Sequence, residues 1–150
     1  MPEATTFFFQ MAILVMSVVI HEVSHGVAAF MQGDRTAQYA GRLTLNPIPH
    51  LDIVGSVIIP ILLVITHSPV LIGWAKPVPY NPYNLRNQKW GPAIVGSEGP
   101  FSNILIAVIF GLLSRFGEGA LPAPFLGVAL LIAYINILLA VFNMVPIPPL

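Results

Sequence analysis

The stretch FFFQMAILVMSVVIHEVSHGVAAFM, residues 7–31, decides the fold because it is long and apolar enough to cross a membrane. About 20 apolar residues in an α-helix cross a hydrocarbon core of about 30 Å. Three ionisable residues nevertheless stand within five positions of this stretch: His21, Glu22 and His25. An Asp-type charge at the centre of a membrane helix costs about 2.5–3.5 kcal/mol on insertion scales. The cost predicts a functional site inside the helix.

The spacing of the two histidines predicts a metal site. Residues i and i+4 of an α-helix share a face, so His21 and His25 can both direct a ring nitrogen at one Zn²⁺. Glu22 lies beside the metal and can accept a proton from a water that the metal has acidified. His-Glu-x-x-His is the signature of zinc hydrolases, and it is short enough to occur by chance in a charge-rich soluble helix. A chance match here would have to place three titratable groups in lipid.

The composition predicts an integral membrane protein. Hydrophobic residues make up 56% of the 150 residues and charged residues only 8%, whereas soluble domains carry about 25% charged residues. The formal net charge is zero, so we expect no nucleic-acid partner. The chain contains no cysteine, so a metal would have to use histidine and carboxylate ligands. The first apolar run lacks a basic start and a clear cleavage site, which favours a retained span over a removed signal peptide.

The apolar runs predict an all-α, multi-pass membrane protein with three to four transmembrane helices in one domain, residues 1–150. The undecided segment is apolar over residues 53–65 but short, with Gly55 and Pro60 inside it, so it suits a re-entrant or tilted segment as well as a span. We predict spans at residues 7–31, 101–116 and 125–145, with the undecided segment at 53–67.

Two connecting stretches carry further predictions. Leu43 and Leu45 alternate with polar residues after Gly41, which predicts a small membrane-associated β-hairpin able to receive an extended peptide, although an ordinary surface loop fits as well. Gly99-Pro100 predicts the start of the helix that contains the span at residues 101–116, because proline is tolerated in a first turn. The prolines and aromatic residues of residues 73–90 are typical of an extended segment at the membrane interface.

Five motifs in a fixed order resemble the site-2 protease family of intramembrane zinc metalloproteases, over residues 11–150. His-Glu-x-x-His alone is weakly specific, but the five together are highly specific. They are HEVSH at 21–25, GRLTLNP at 41–47, GWAKPVP at 73–79, GPFSN at 99–103 and NMVPIPPL at 143–150.

The resemblance implies zinc-dependent cleavage of transmembrane substrates within the bilayer. It implies His21 and His25 as zinc ligands, Glu22 as the catalytic base and Asn143, in the closing motif, as a substrate-binding residue. In the family this motif continues with Asp-Gly, whose Asp is the third zinc ligand, whereas this sequence ends at Leu150. We therefore expect the sequence to be a fragment or a truncated form, because catalytic zinc normally has three protein ligands.

Two other functions remain open at this stage. A catalytically incomplete protein of the same fold would bind membrane partners without cleaving them, and the missing third ligand favours this alternative. A metal transporter would also use intramembrane histidine and carboxylate, but its path usually shows polar residues on several spans, and here the other helices offer only amides. We expect a multi-pass protein of the cell membrane whose partners are membrane protein substrates and lipid. The sequence leaves its orientation and oligomeric state open.

Overall fold

The computed structural model describes residues 3–70 and 72–145, and three of its helices are long and apolar enough to cross a membrane. We name the helices α1 to α5 in chain order. They are α1 (Glu3–Met31), α2 (Thr36–Tyr39), α3 (Ile59–Ile65), α4 (Gly91–Phe116) and α5 (Ala123–Met144). The long helices α1, α4 and α5 pack against one another, and their large apolar side chains lie mostly on the outside. The protein is an all-α membrane protein, as the composition predicts.

Small residues at regular spacing bring the three long helices together. The buried residues of α4 include a stripe repeating every four positions, and those of α5 follow a spacing of four and three. Such stripes place small side chains on one helix face, where van der Waals packing between helices drives association in lipid. The α4 stripe is Gly91, Val95, Gly99, Asn103 and Ala107, and the α5 stripe is Ala129, Ala133, Asn136 and Ala140.

The helix α4 begins well before Gly99-Pro100, so the predicted start at these residues is wrong. Pro92 occupies the first turn of α4, where its missing N–H has no helical partner to lose. Pro100 lies inside the helix and is buried. Membrane helices tolerate an internal proline because neighbouring helices and local adjustments satisfy the freed backbone groups. The chain offers two Gly-Pro pairs, and the first one starts the helix.

The predicted β-hairpin after α1 is also wrong. The short helix α2 and a turn at Gly41, whose φ is 69°, occupy this stretch. Arg42 does not alternate outward as a strand residue would, because its side chain is buried and donates from Nη2 to the carbonyl of Lys76 at 2.6 Å. Among the described residues the one β-bridge joins Leu51 to Ala75.

The undecided segment forms a short helical stretch, after which the chain turns back. It consists of a π-helical turn, Ile53–Ile58, followed by α3, and together they are shorter than a span. The chain then reverses at His67 and returns, so that the N–H of Trp74 donates to the carbonyl of Gly55 at 3.1 Å. The chain after the segment therefore returns to its first turn, and the re-entrant alternative stays a prediction.

Candidate metal centre

The helix α1 places the two histidines of the motif one turn apart with their rings in contact. Nε2 of His21 lies 3.1 Å from Nε2 of His25, and the ring centroids are 4.8 Å apart. His21 is buried and His25 half-buried. The helix continues unbroken through the motif because the surrounding residues are apolar and lack proline. The predicted pair of ligands is thus brought together by one helix.

Each imidazole is held through its other nitrogen by an oxygen on α4. Nδ1 of His21 lies 2.6 Å from Oδ1 of Asn103, and Nδ1 of His25 lies 2.6 Å from the carbonyl oxygen of Val95. An oxygen acceptor requires an N–H donor, so both Nδ1 atoms carry the proton and donate. Both Nε2 atoms of the neutral rings then present lone pairs. Two lone pairs that face each other repel, and a cation between them would remove this repulsion.

The distance between the two Nε2 atoms fits a zinc ion. Two nitrogens bound at about 2.0–2.1 Å to a tetrahedral zinc lie about 3.3 Å apart, and the observed separation is 3.1 Å. Gly99 leaves the space beside this pair open. A Cβ atom added at Gly99 would lie 2.5 Å from Nε2 of His25 and 2.6 Å from Nε2 of His21. Neutral imidazoles suit zinc, so the donor set and the space both fit Zn²⁺.

The Glu22 carboxylate lies beside the two imidazoles and is oriented by the backbone of another segment. The ligand atoms of His21, Glu22 and His25 all lie within 4.8 Å of one another. The N–H of Val78 donates to Oε2 of Glu22 at 3.1 Å. This bond fixes one carboxylate oxygen and leaves the other free to exchange a proton.

The segment that holds Glu22, residues 76–81, is extended and is itself held at two points. Arg42 binds it at Lys76, as described above, and Asp34 accepts from the N–H of Asn81 at 2.7 Å. Gly26 on α1 lets the segment approach, because an added Cβ there would lie 3.0 Å from the Val78 side chain. The prolines at 77 and 79 keep the chain extended between these anchors.

The Asp34 carboxyl just beyond α1 is buried and titrates below its ordinary range. Burial by itself raises the pKa of Asp34, but hydrogen bonds from Thr36, Asn81 and Asn84 outweigh it and lower the pKa from the ordinary value of 3.8. Hydrogen bonds to the ionised form favour that form. Asp34 therefore carries a negative charge that stabilises the loop under Glu22.

The structure brings three of the four predicted site residues together. His21, Glu22 and His25 form the cluster, while Asn143 on α5 donates from Nδ2 to the carbonyl of Leu139 in its own helix at 2.7 Å. Its role in substrate binding stays a prediction. Residues 146–150 of the closing motif lie outside the described residues.

Sequence reasoning missed three features that complete the site. The position of Gly99 four residues before Asn103 is a signal of close helix packing that could have linked both to the histidines. In the sequence, Asn103 is only the last residue of the motif GPFSN at 99–103, and nothing local links it to the histidines. No sequence pattern indicated the role of the Val78 N–H, because every residue except proline has the same backbone donor.

Two curated relatives are similar to most of this chain. The "Putative zinc metalloprotease YwhC" of Bacillus subtilis is 34% identical over 144 residues, covering 91% of this chain and 62% of the relative. The "Putative zinc metalloprotease Rip2" of Mycolicibacterium smegmatis is 29% identical over 137 residues, covering 91% of this chain and 51% of the relative. The chain thus spans less than two thirds of the length of either relative. No protein-family model matches the chain, and no solved structure matches it significantly.

Proposed function

We propose that this protein is a zinc-dependent intramembrane endopeptidase of the site-2 protease type. The observation that carries the proposal is the distance of 3.1 Å between the Nε2 atoms of His21 and His25, two side chains of an apolar helix, with Glu22 beside them. Two relatives named as zinc metalloproteases support the chemistry. The three long apolar helices support its location in a membrane, and we propose the cell membrane.

The chain's own residues divide the work of hydrolysis. When bound, zinc supplies Lewis-acid activation of water and of the scissile carbonyl. His21 and His25 would hold it through Nε2. Glu22 accepts the proton of the attacking water on Oε1, while the Val78 N–H holds Oε2. Glu22 then delivers that proton to the leaving amide nitrogen.

The proposed substrates are transmembrane segments of other membrane proteins. A helical substrate keeps its amides bonded internally, so it must be locally unwound before attack. The hairpin that we predicted as its receiver is not formed. Asn143 remains the proposed contact for the unwound backbone.

Zinc content and peptide cleavage by the purified protein test this proposal together. The protein in detergent is expected to bind about one zinc, to cleave a labelled transmembrane peptide, to lose activity with a chelator and to regain it with zinc. His21→Ala should lose both zinc and cleavage. His67→Asn is the matched control, because His67 is exposed in a turn with a φ of 54° that asparagine tolerates.

Each alternative function gives a different result in the same experiment. Zinc bound without cleavage would overturn the proposed enzyme and favour a binding protein. Zinc uptake into proteoliposomes, without cleavage, would favour a transporter.

A further inference from the structure

A chain of hydrogen bonds links the metal centre to a second amide on α5. Nδ2 of Asn103 donates to Oδ1 of Asn136 at 2.8 Å, and Nδ2 of Asn136 donates to Oγ of Ser17 at 3.0 Å. Asn103 and Asn136 are fully buried, and Ser17 is 4% exposed. The network therefore joins α1, α4 and α5 within the apolar interior and ends at Nδ1 of His21.

The two metal-binding histidines differ in what holds them. His25 donates to a backbone carbonyl, that of Val95, which can only accept. His21 donates to a side-chain amide, which can turn by 180° and present Nδ2 where Oδ1 stood. If Asn103 turned, Nδ1 of His21 would have to accept, and its proton would move to Nε2. That proton would occupy the position of the metal.

The bonds beyond Asn103 select its orientation. Asn136 also donates to the carbonyl of Ile132 in its own helix at 2.9 Å. Because the carbonyl of Ile132 can only accept, Nδ2 of Asn136 must face it, and Oδ1 of Asn136 then faces Asn103. Asn103 must then donate from Nδ2 to Asn136, and it also donates to the carbonyl of Ser17 at 3.4 Å, so that both bonds keep its Oδ1 toward His21. A hydrogen bond between membrane helices contributes little stability on average, so a purely stabilising role gives little reason for two buried amides.

We propose that Asn136 and Ser17 are positioning residues for the metal centre. They fix the orientation of the Asn103 amide, and through it the tautomer of His21 that leaves Nε2 free. The proposal rests on the proposed zinc site, but its first consequence is a property of the metal-free protein. Groups that orient a metal-binding histidine typically change metal affinity by 10- to 100-fold when they are lost.

The test compares Asn136→Leu with Ser114→Ala, a matched loss of a polar group between α4 and α5. Ser114 donates to the carbonyl of Leu126 at 3.3 Å and belongs to no bond of the network. In the metal-free protein, ¹⁵N NMR of the His21 ring should show the Nδ1–H tautomer in the wild type and in Ser114→Ala, and a mixture of tautomers in Asn136→Leu. Competition with a chelator should show zinc bound about 10- to 100-fold more weakly by Asn136→Leu only.

Two further variants keep the test decisive if Asn136→Leu does not fold. Asn136→Asp retains an oxygen that accepts from Asn103, so it should keep the Nδ1–H tautomer. Ser17→Ala removes the hydroxyl that accepts from Asn136 but leaves the carbonyl of Ile132 and the backbone carbonyl of residue 17, so it should shift the tautomer in the same direction but less. An unchanged His21 tautomer in Asn136→Leu, or in Ser17→Ala if the former does not fold, overturns this inference alone. A wild type with the expected tautomer but without zinc overturns the proposed function.

Discussion

Glu22 and Asp34 are two carboxylates that bind the same extended segment in different ways. Glu22 accepts one backbone N–H, that of Val78, at 3.1 Å. Asp34 accepts a backbone N–H from Asn81 at 2.7 Å and further bonds from Thr36 and Asn84. Both carboxylates therefore fix the segment, but in the described residues Asp34 accepts four hydrogen bonds and Glu22 accepts one.

This difference indicates that the Asp34 carboxylate has a structural role, whereas the Glu22 carboxylate is able to exchange a proton. Oδ1 of Asp34 accepts three of its four hydrogen bonds and Oδ2 accepts the fourth. A carboxylate offers about four lone-pair sites, so most of the acceptor capacity of Asp34 is used in structural bonds. Glu22 is half-buried and keeps one oxygen without a partner in the described hydrogen bonds. We infer that Asp34 holds the extended segment in place, so that the N–H of Val78 can orient Glu22.

Among the variants that compare Glu22 with Asp34, Glu22→Gln should have the largest effect, which is a loss of cleavage activity. The amide keeps the size of the side chain and an oxygen for the Val78 N–H but cannot accept a proton, so cleavage should fall by about 10²- to 10⁴-fold. Zinc content and thermal stability should remain near those of the wild type. Cleavage of the labelled transmembrane peptide at a wild-type rate would refute the role of Glu22 as the base.

Asp34→Ala should reduce the stability of the fold without removing the chemistry. Its buried donors lose a charged acceptor, which should lower the free energy of unfolding by about 2–4 kcal/mol. Asp52→Ala is a smaller, matched loss, because Asp52 caps a helix through one bond from the N–H of Gly55 at 2.8 Å, and it should cost about 1 kcal/mol. Denaturant unfolding followed by tryptophan fluorescence would compare them, and equal losses would contradict the structural role given to Asp34.

Val78→Pro should separate the orientation of Glu22 from the packing of the segment. Proline removes the N–H that donates to Glu22, in a chain already extended around two prolines. We expect kcat to fall by about 10-fold, the equivalent of one hydrogen bond to a charged group, with KM little changed. Val78→Ala keeps the N–H and loses only buried side-chain atoms, so a similar fall in kcat for Val78→Ala would assign the effect to packing.

The smallest expected effect is a change in how the stability of the protein depends on pH in acid when Asp34 is replaced. The folded pKa of Asp34 lies below its ordinary value of 3.8, so its contribution to stability is present above the unfolded pKa and is lost as the pH falls through the folded pKa. Thermal unfolding between about pH 6 and pH 3 should therefore become less pH-dependent in Asp34→Asn than in the wild type. Parallel profiles for the two proteins would show that Asp34 does not contribute to the acid loss of stability.

The local chemistry of the site could be predicted because it depends on one helix. An i, i+4 pair of histidines shares a face whatever surrounds it, so His21, Glu22 and His25 followed from spacing and from the cost of ionisable groups in lipid. The long apolar helices followed from length and composition. The start of α4 did not, because two Gly-Pro pairs obey the same local rule.

The sequence by itself determined an apolar helical protein with a candidate metal site, His21, Glu22 and His25, in its first helix. Only the tertiary structure decided which groups hold that triplet: Asn103 and Val95 on α4, Gly99 beside the rings and the N–H of Val78. The physical reason is that a helix fixes the relations of residues a turn apart, whereas bonds between segments distant in the chain depend on how those segments pack. Backbone donors and acceptors add to this difference, because nearly every residue has them and their use is settled by position alone.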